Sequence, residues 1–162
     1  MSRFLDLPEP SATEDLAAAI ARALPERPQG WMILLQGELG SGKSTLARAM
    51  LRELGHKGAV PSPTYTLVEP YRLPESVVYH IDLYRISDAE ELEFLGWSDL
   101  EDGLRIVEWP ERVPELLARG DLLVRLEYAG NGRRAELLGL SARGDELLAR
   151  VAQQVAVPPV NP

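Results

Sequence analysis

Eight consecutive residues, Gly37-Glu38-Leu39-Gly40-Ser41-Gly42-Lys43-Ser44, carry the most specific chemistry in this chain. They fit the pattern G-x-x-x-x-G-K-[ST] at every fixed position. Glycines at 37, 40 and 42 let the backbone turn with its N–H groups facing inward, and the free N–H groups that open a following helix add partial positive charge to that nest. Polyphosphate is the guest such a nest selects. Lys43 is the residue to neutralise β- and γ-phosphates, and the Ser44 hydroxyl is a ligand for the Mg²⁺ that accompanies them. The plain alternative is a glycine-rich turn with a surface lysine.

Two acids stand where such a loop would need them. Leu104-Arg105-Ile106-Val107-Glu108 is a short apolar run that ends on a carboxylate, the form of a Walker-B-like strand. Next to a phosphate loop in a parallel sheet, that acid can hold Mg²⁺ directly or through water. Otherwise it is a charge at a strand end. Asp82 falls where the apolar run from Val77 gives out, which suits an acid facing a ligand-bound metal. His80 shares its face, two residues earlier, and reads as a packing or supporting residue. Trp109 either covers the site or only packs. Thr64 and Thr66 follow two prolines in a constrained loop that could sense a γ-phosphate, although threonines equally suit the entry to a strand.

The elements that must position these residues are legible from periodicity. Trp31 to Leu35 is a buried strand, and from Ser44 onward Leu46, Ala47, Met50, Leu51 and Leu54 recur on one helix face. Strand, glycine loop and helix therefore follow in the order the motif demands. Phe4, Leu5 and Leu7 suggest a short edge strand. Ser11 and Glu14 have the spacing of a capping box that opens a helix to about Leu24, and on that spacing Thr13 is a helix-start residue or a ligand contact. Residues 60–69 start as a constrained loop and pass into an alternating strand, which with a second strand over 77–85 predicts a hairpin across 73–76. Residues 87–95 form a short acidic helix capped by Ser87 or Asp88, and 111–118 a further short helix. Residues 121–128 and 133–140 alternate as two strands about Gly130-Asn131-Gly132, and a last helix covers roughly 144–155. No repeat or linker divides the chain, so residues 1–155 read as one domain with 156–162 as a loose tail.

Composition bounds the function. With 162 residues, 45% of them hydrophobic and 26% charged, the chain is long enough for a real core. Cysteine is absent from the sequence, which removes disulfides, thiolate metal sites and cysteine nucleophiles. A net charge of −8 disfavours a general nucleic-acid binder, so an RNA connection is expected through a protein partner. No stretch has the length of a signal peptide or a membrane span, and the expectation is a soluble cytoplasmic protein without membrane contact.

The glycine loop, SPTYTLV (62–68), HIDLYR (80–85), EELEFLGW (90–97) and IVEWPERV (106–113) occur together in this order. In that combination the chain resembles the TsaE family of bacterial tRNA threonylcarbamoyladenosine biosynthesis proteins, over nearly its whole length. The resemblance implies an α/β fold of the P-loop NTPase kind, with a mixed, mostly parallel sheet flanked by helices and with antiparallel hairpins. It also implies a weak ATPase, with ATP/ADP and Mg²⁺ as cofactors and TsaD and TsaB as partners, that reaches tRNA only through their complex. By position, Gly40, Ser41, Gly42, Lys43, Ser44 and Thr45 would contact phosphates, and Ser44 and Glu108 would ligate the metal. Lys43, Asp82 and Glu108 would serve catalysis, Asp82 near the γ-phosphate. Thr13 would lie near the adenine end and Arg133 against the nucleotide. Two other readings start from the same loop: a small-molecule or nucleoside kinase, against which the arginines after Glu108 are scattered rather than gathered in a lid, and a nucleotide-gated binding module without significant hydrolysis.

Overall fold

Met32, Ile33, Leu34 and Leu35 are all buried, which a strand achieves only when both faces of its sheet are covered. In the computed structural model, which describes residues 1–63 and 67–155, this run is the second strand of a seven-stranded sheet. The order along the chain is β1 (Ser2–Leu7), α1 (Pro10–Ala23), β2 (Met32–Gln36), α2 (Lys43–Glu53), β3 (Val68–Arg72), β4 (Val77–Asp82) and α3 (Ala89–Phe94). It continues with β5 (Leu104–Glu108), β6 (Leu122–Ala129), β7 (Gly132–Gly139) and α4 (Ala142–Gln154), and 3₁₀ segments occupy Trp97–Asp102, Pro110–Arg112 and Pro114–Ala118.

The strands lie in the order β1-β7-β6-β2-β5-β4-β3. The four in the middle, β6, β2, β5 and β4, are mutually parallel. β7, β1 and β3 extend the sheet antiparallel at its two sides. This is the mixed α/β sheet with antiparallel hairpins that the sequence predicts.

Strand alternation sends Ile33, Leu35, Leu104, Ile106 and Val124 to one face, where they pack with Leu16 and Ile20 of α1, Leu46 and Met50 of α2, and Leu147 of α4. Met32, Leu34, Ile81, Val107 and Leu123 go to the other face, against Leu92, Trp97 and Leu116. Each such side chain removed from water contributes about 1.5–3 kcal/mol. The same parity has a functional consequence: Val78 and Ile106 belong to the α2 face, so His80, Asp82 and Glu108 are directed to that face too.

Three local expectations need correction. The capping box at Ser11 and Glu14 does not form, because Pro10 is already the first helical residue and Glu9 the cap position. Proline lacks only an N–H that would be unpaired there anyway, so it starts the helix one residue ahead of the serine. The predicted helix over 111–118 is two 3₁₀ segments that meet at Val113, whose extended φ of −133° is what a following proline imposes. The last helix begins at Ala142, before Gly144, capped by the Ser141 hydroxyl accepting from the Gly144 N–H at 3.0 Å. Asp88 is the residue that caps α3, with its carboxylate accepting from the Glu91 N–H at 3.1 Å. Thr64, Thr66 and the tail 156–162 lie outside the described residues.

Candidate functional site

The glycine loop leaves the C-terminal end of β2 and returns into the first turn of α2. Gly42 stands at the cap position with φ +110°, a conformation that costs any other residue strain. Gly37 is required for a different reason: a Cβ there would sit 2.4 Å from Ser41 Oγ and 2.6 Å from the Leu126 carbonyl oxygen. The loop is thus pressed against β6 with no room for a side chain at its first residue.

Lys43 is 5% exposed. Its ammonium donates to the carbonyls of Gly37 and Glu38, and Nζ lies 3.9 Å from the centre of the Trp109 ring. Burial lowers its pKa from the ordinary lysine value, and the carboxylates of Glu108, Glu111 and Asp82 offset part of that. Trp109 reaches this position through a left-handed backbone, φ +61°, an uncommon conformation for a bulky residue. It turns the chain directly after Glu108 and lays the indole beside the lysine; the Tyr84 ring packs against the same indole, with ring centres 4.9 Å apart.

Parallel pairing places Glu108 beside Leu35 of β2 on one side and Asp82 of β4 on the other. Ser44 Oγ donates to Glu108 Oε1 at 3.2 Å, and His80 Nε2 lies 2.5 Å from Glu108 Oε2. Asp82 accepts from the Tyr84 N–H at 2.9 Å. Hard oxygen donors of this kind suit Mg²⁺, which takes one or two protein ligands and fills its remaining positions with phosphate and water. Two oxygens holding adjacent corners of an octahedron with arms of about 2.1 Å lie about 3 Å apart, so the 3.2 Å between the Ser44 and Glu108 oxygens is compatible with both holding one such ion once the hydroxyl proton turns away.

Open clefts flank the loop. One, of about 220 Å³, is bordered by Lys43, Ser44, Asp82, Glu108, Trp109 and Ser62. The other, of about 170 Å³, is bordered by Thr13, Ser41, Gly42, Thr45, Asn131 and Arg133 among others. Gly40 lines both. Asp82, Glu108 and Trp109 therefore meet the loop on one flank and Thr13 with Arg133 on the other, while His80 stands behind Glu108 and borders neither cleft. Arg133 donates to the Gly40 carbonyl at 3.1 Å. Ser62 was not singled out; it is the hydroxyl-bearing residue of the same proline-bracketed loop in which the threonines drew attention. Tyr128, whose hydroxyl touches the loop, was also missed, because an outward residue of an alternating strand carries no local signal.

The family model described as "Threonylcarbamoyl adenosine biosynthesis protein TsaE" matches residues 7–135. The chain belongs to the TsaE family. It is 43% identical over 120 residues to the tRNA threonylcarbamoyladenosine biosynthesis protein TsaE of Haemophilus influenzae, covering 73% of this chain and 76% of that one. The protein of the same description from Synechocystis is 42% identical over 116 residues, with 68% and 71% covered. Among solved structures, Bacillus subtilis YdiB superposes with a TM-score of 0.73 at 22% identity, covering 94% of this chain and 95% of that one. That likeness is one of fold, a P-loop NTPase-like architecture shared with this TsaE chain. Among the described residues no helix is long and apolar enough to cross a membrane.

Proposed function

We propose that this TsaE protein binds ATP with Mg²⁺ at the glycine loop and hydrolyses it, in the cytoplasm, in support of the TsaD and TsaB subunits during threonylcarbamoylation of the adenosine next to the anticodon of tRNA. The observation that carries the reading is the Ser44–Glu108 contact at 3.2 Å, which joins the loop's hydroxyl to the acid of the neighbouring parallel strand. A surface glycine turn has no reason to face a buried carboxylate.

In this reading the loop amides and the Lys43 ammonium hold the β- and γ-phosphates, while Ser44 and Glu108 hold the metal. When bound, Mg²⁺ would supply positive charge that offsets the negative charge of the phosphate oxygens. Asp82 faces the same cleft from the adjacent strand and is the group to order water on the γ-phosphate side. Thr13 and Arg133 border the opposite cleft, where the nucleoside end extends. None of the described residues lining the metal-side cleft is an arginine, and a transition state without that cation is reached slowly. A weak intrinsic rate and a requirement for a partner follow from the same deficit.

The test is ATP turnover by the purified protein with and without TsaD and TsaB. Severalfold stimulation, lost in Lys43→Ala, is the expected result. No change with an active partner complex overturns the accessory role, and phosphate appearing on a small acceptor instead of in solution would point to a kinase.

A further inference from the structure

The tip of the phosphate loop is held from outside by the hairpin of β6 and β7. Tyr128, near the end of β6, donates its hydroxyl to the Leu39 carbonyl at 2.8 Å. Arg133, at the start of β7, donates to the next carbonyl, that of Gly40, at 3.1 Å. The two side chains also bind each other, the Arg133 guanidinium lying 4.1 Å from the centre of the Tyr128 ring. Tyr128 and Arg133 are themselves cross-strand partners, so the sheet sets their spacing. The approach is close: a Cβ on Gly40 would sit 2.6 Å from the tyrosine oxygen.

We propose that Tyr128 is a positioning residue for nucleotide binding, which braces the loop tip and presents Arg133 to the cleft beside Thr13. The inference rests on the nucleotide reading of the site. A trans peptide is planar, with its C=O and N–H on opposite sides. Pinning the Leu39 oxygen toward the hairpin therefore fixes the Gly40 N–H on the side away from it. The next peptide is clamped at both ends, since the Gly40 oxygen accepts from Arg133 and the Ser41 N–H donates to Glu38 O at 3.0 Å. Donors held in place before the ligand arrives bind it without a further ordering cost. Tyr128 itself is half exposed, at 51%, so core packing does not account for its ring.

The experiment is calorimetric titration of Mg-ADP into the full-length parent, Tyr128→Phe, Tyr128→Leu and Lys43→Ala, with melting curves for each. Loss of one hydrogen bond predicts a Kd raised about three- to tenfold in Tyr128→Phe. Loss of the ring under Arg133 predicts a further two- to fivefold, roughly, in Tyr128→Leu. Stoichiometry and melting temperature should stay at parental values, and in partner-stimulated turnover KM should rise while kcat holds. A parental Kd in Tyr128→Phe overturns the brace, as does an unchanged Kd with reduced stoichiometry, the mark of a merely structural role. A parent without affinity for Mg-ADP, or Lys43→Ala binding as the parent does, overturns the nucleotide reading itself and the brace with it.

Discussion

His80 Nε2 lies 2.5 Å from Glu108 Oε2, and both side chains are buried between β4, β5 and α2. The imidazole holds one carboxylate oxygen, which leaves the other, Oε1, to face Ser44. On the proposed role of Glu108 as a metal ligand, a partner that orients it in this way commonly changes metal affinity by about 10–100-fold when removed. His80→Phe keeps the ring and removes the nitrogen. The Mg²⁺ concentration for half-maximal ATP turnover should rise at least about tenfold, with nucleotide affinity in chelator little altered. A metal titration that superposes on the parent's would reduce His80 to packing.

Gly37→Ala tests the tightness of the loop against β6. The new methyl would meet Ser41 Oγ at 2.4 Å and the Leu126 backbone oxygen at 2.6 Å. The serine can rotate, but the strand carbonyl cannot move alone, so the loop must retreat. Overpacking of this kind costs about 1–3 kcal/mol. The retreat also displaces the Gly37 carbonyl that receives Lys43. Mg-ADP should bind at least about tenfold more weakly, and the melting temperature should fall by several degrees. Affinity within twofold of the parent would mean that the loop accommodates the methyl without losing its shape.

The extent to which this site can be read from sequence follows the range of each interaction. The glycine loop and the acid at the end of β5 are local patterns, visible because fixed spacing and strand periodicity belong to a few residues. That Glu108 lies beside the loop needs β5 to be the parallel neighbour of β2, which the motif order already suggests. The grip of His80 on Glu108 needs the register of β4 on β5, Asp82 opposite Glu108, and no local pattern contains a register between strands so distant in the chain. Thr13 and Arg133 come from opposite ends of the sequence and border one cleft because β1 pairs with β7 and α1 follows β1; only the family likeness points to Arg133, and spacing leaves Thr13 open between a helix start and a ligand contact. The misread capping box has a local cause. Ser11-x-x-Glu14 has the right spacing, but Pro10 fixes its own φ and starts the helix first.

Asp121 anchors the end of β2 opposite the glycine loop. Its carboxylate accepts from Arg143 Nε at 2.8 Å and Nη2 at 2.9 Å, from Ser141 Oγ at 2.8 Å and from the Met32 N–H at 3.0 Å. Burial alone would raise its pKa, but the hydrogen bonds from Arg143, the Met32 amide and Ser141 outweigh that and hold it below the ordinary aspartate value. A carboxylate with a depressed folded pKa contributes its full stability above the unfolded value of about 3.9, and that contribution fades as pH falls through the folded value. Asp121→Asn should therefore be about 1.5–3 kcal/mol less stable than the parent at pH 7, the range for hydrogen bonds to a charged group. Urea unfolding at pH 7 and at successive points below pH 4 should show the gap between the two proteins narrowing toward acid. A gap that stays constant or widens there would mean that the four donors do not depend on the charge of Asp121, and that neutral hydrogen bonding alone holds this end of the sheet.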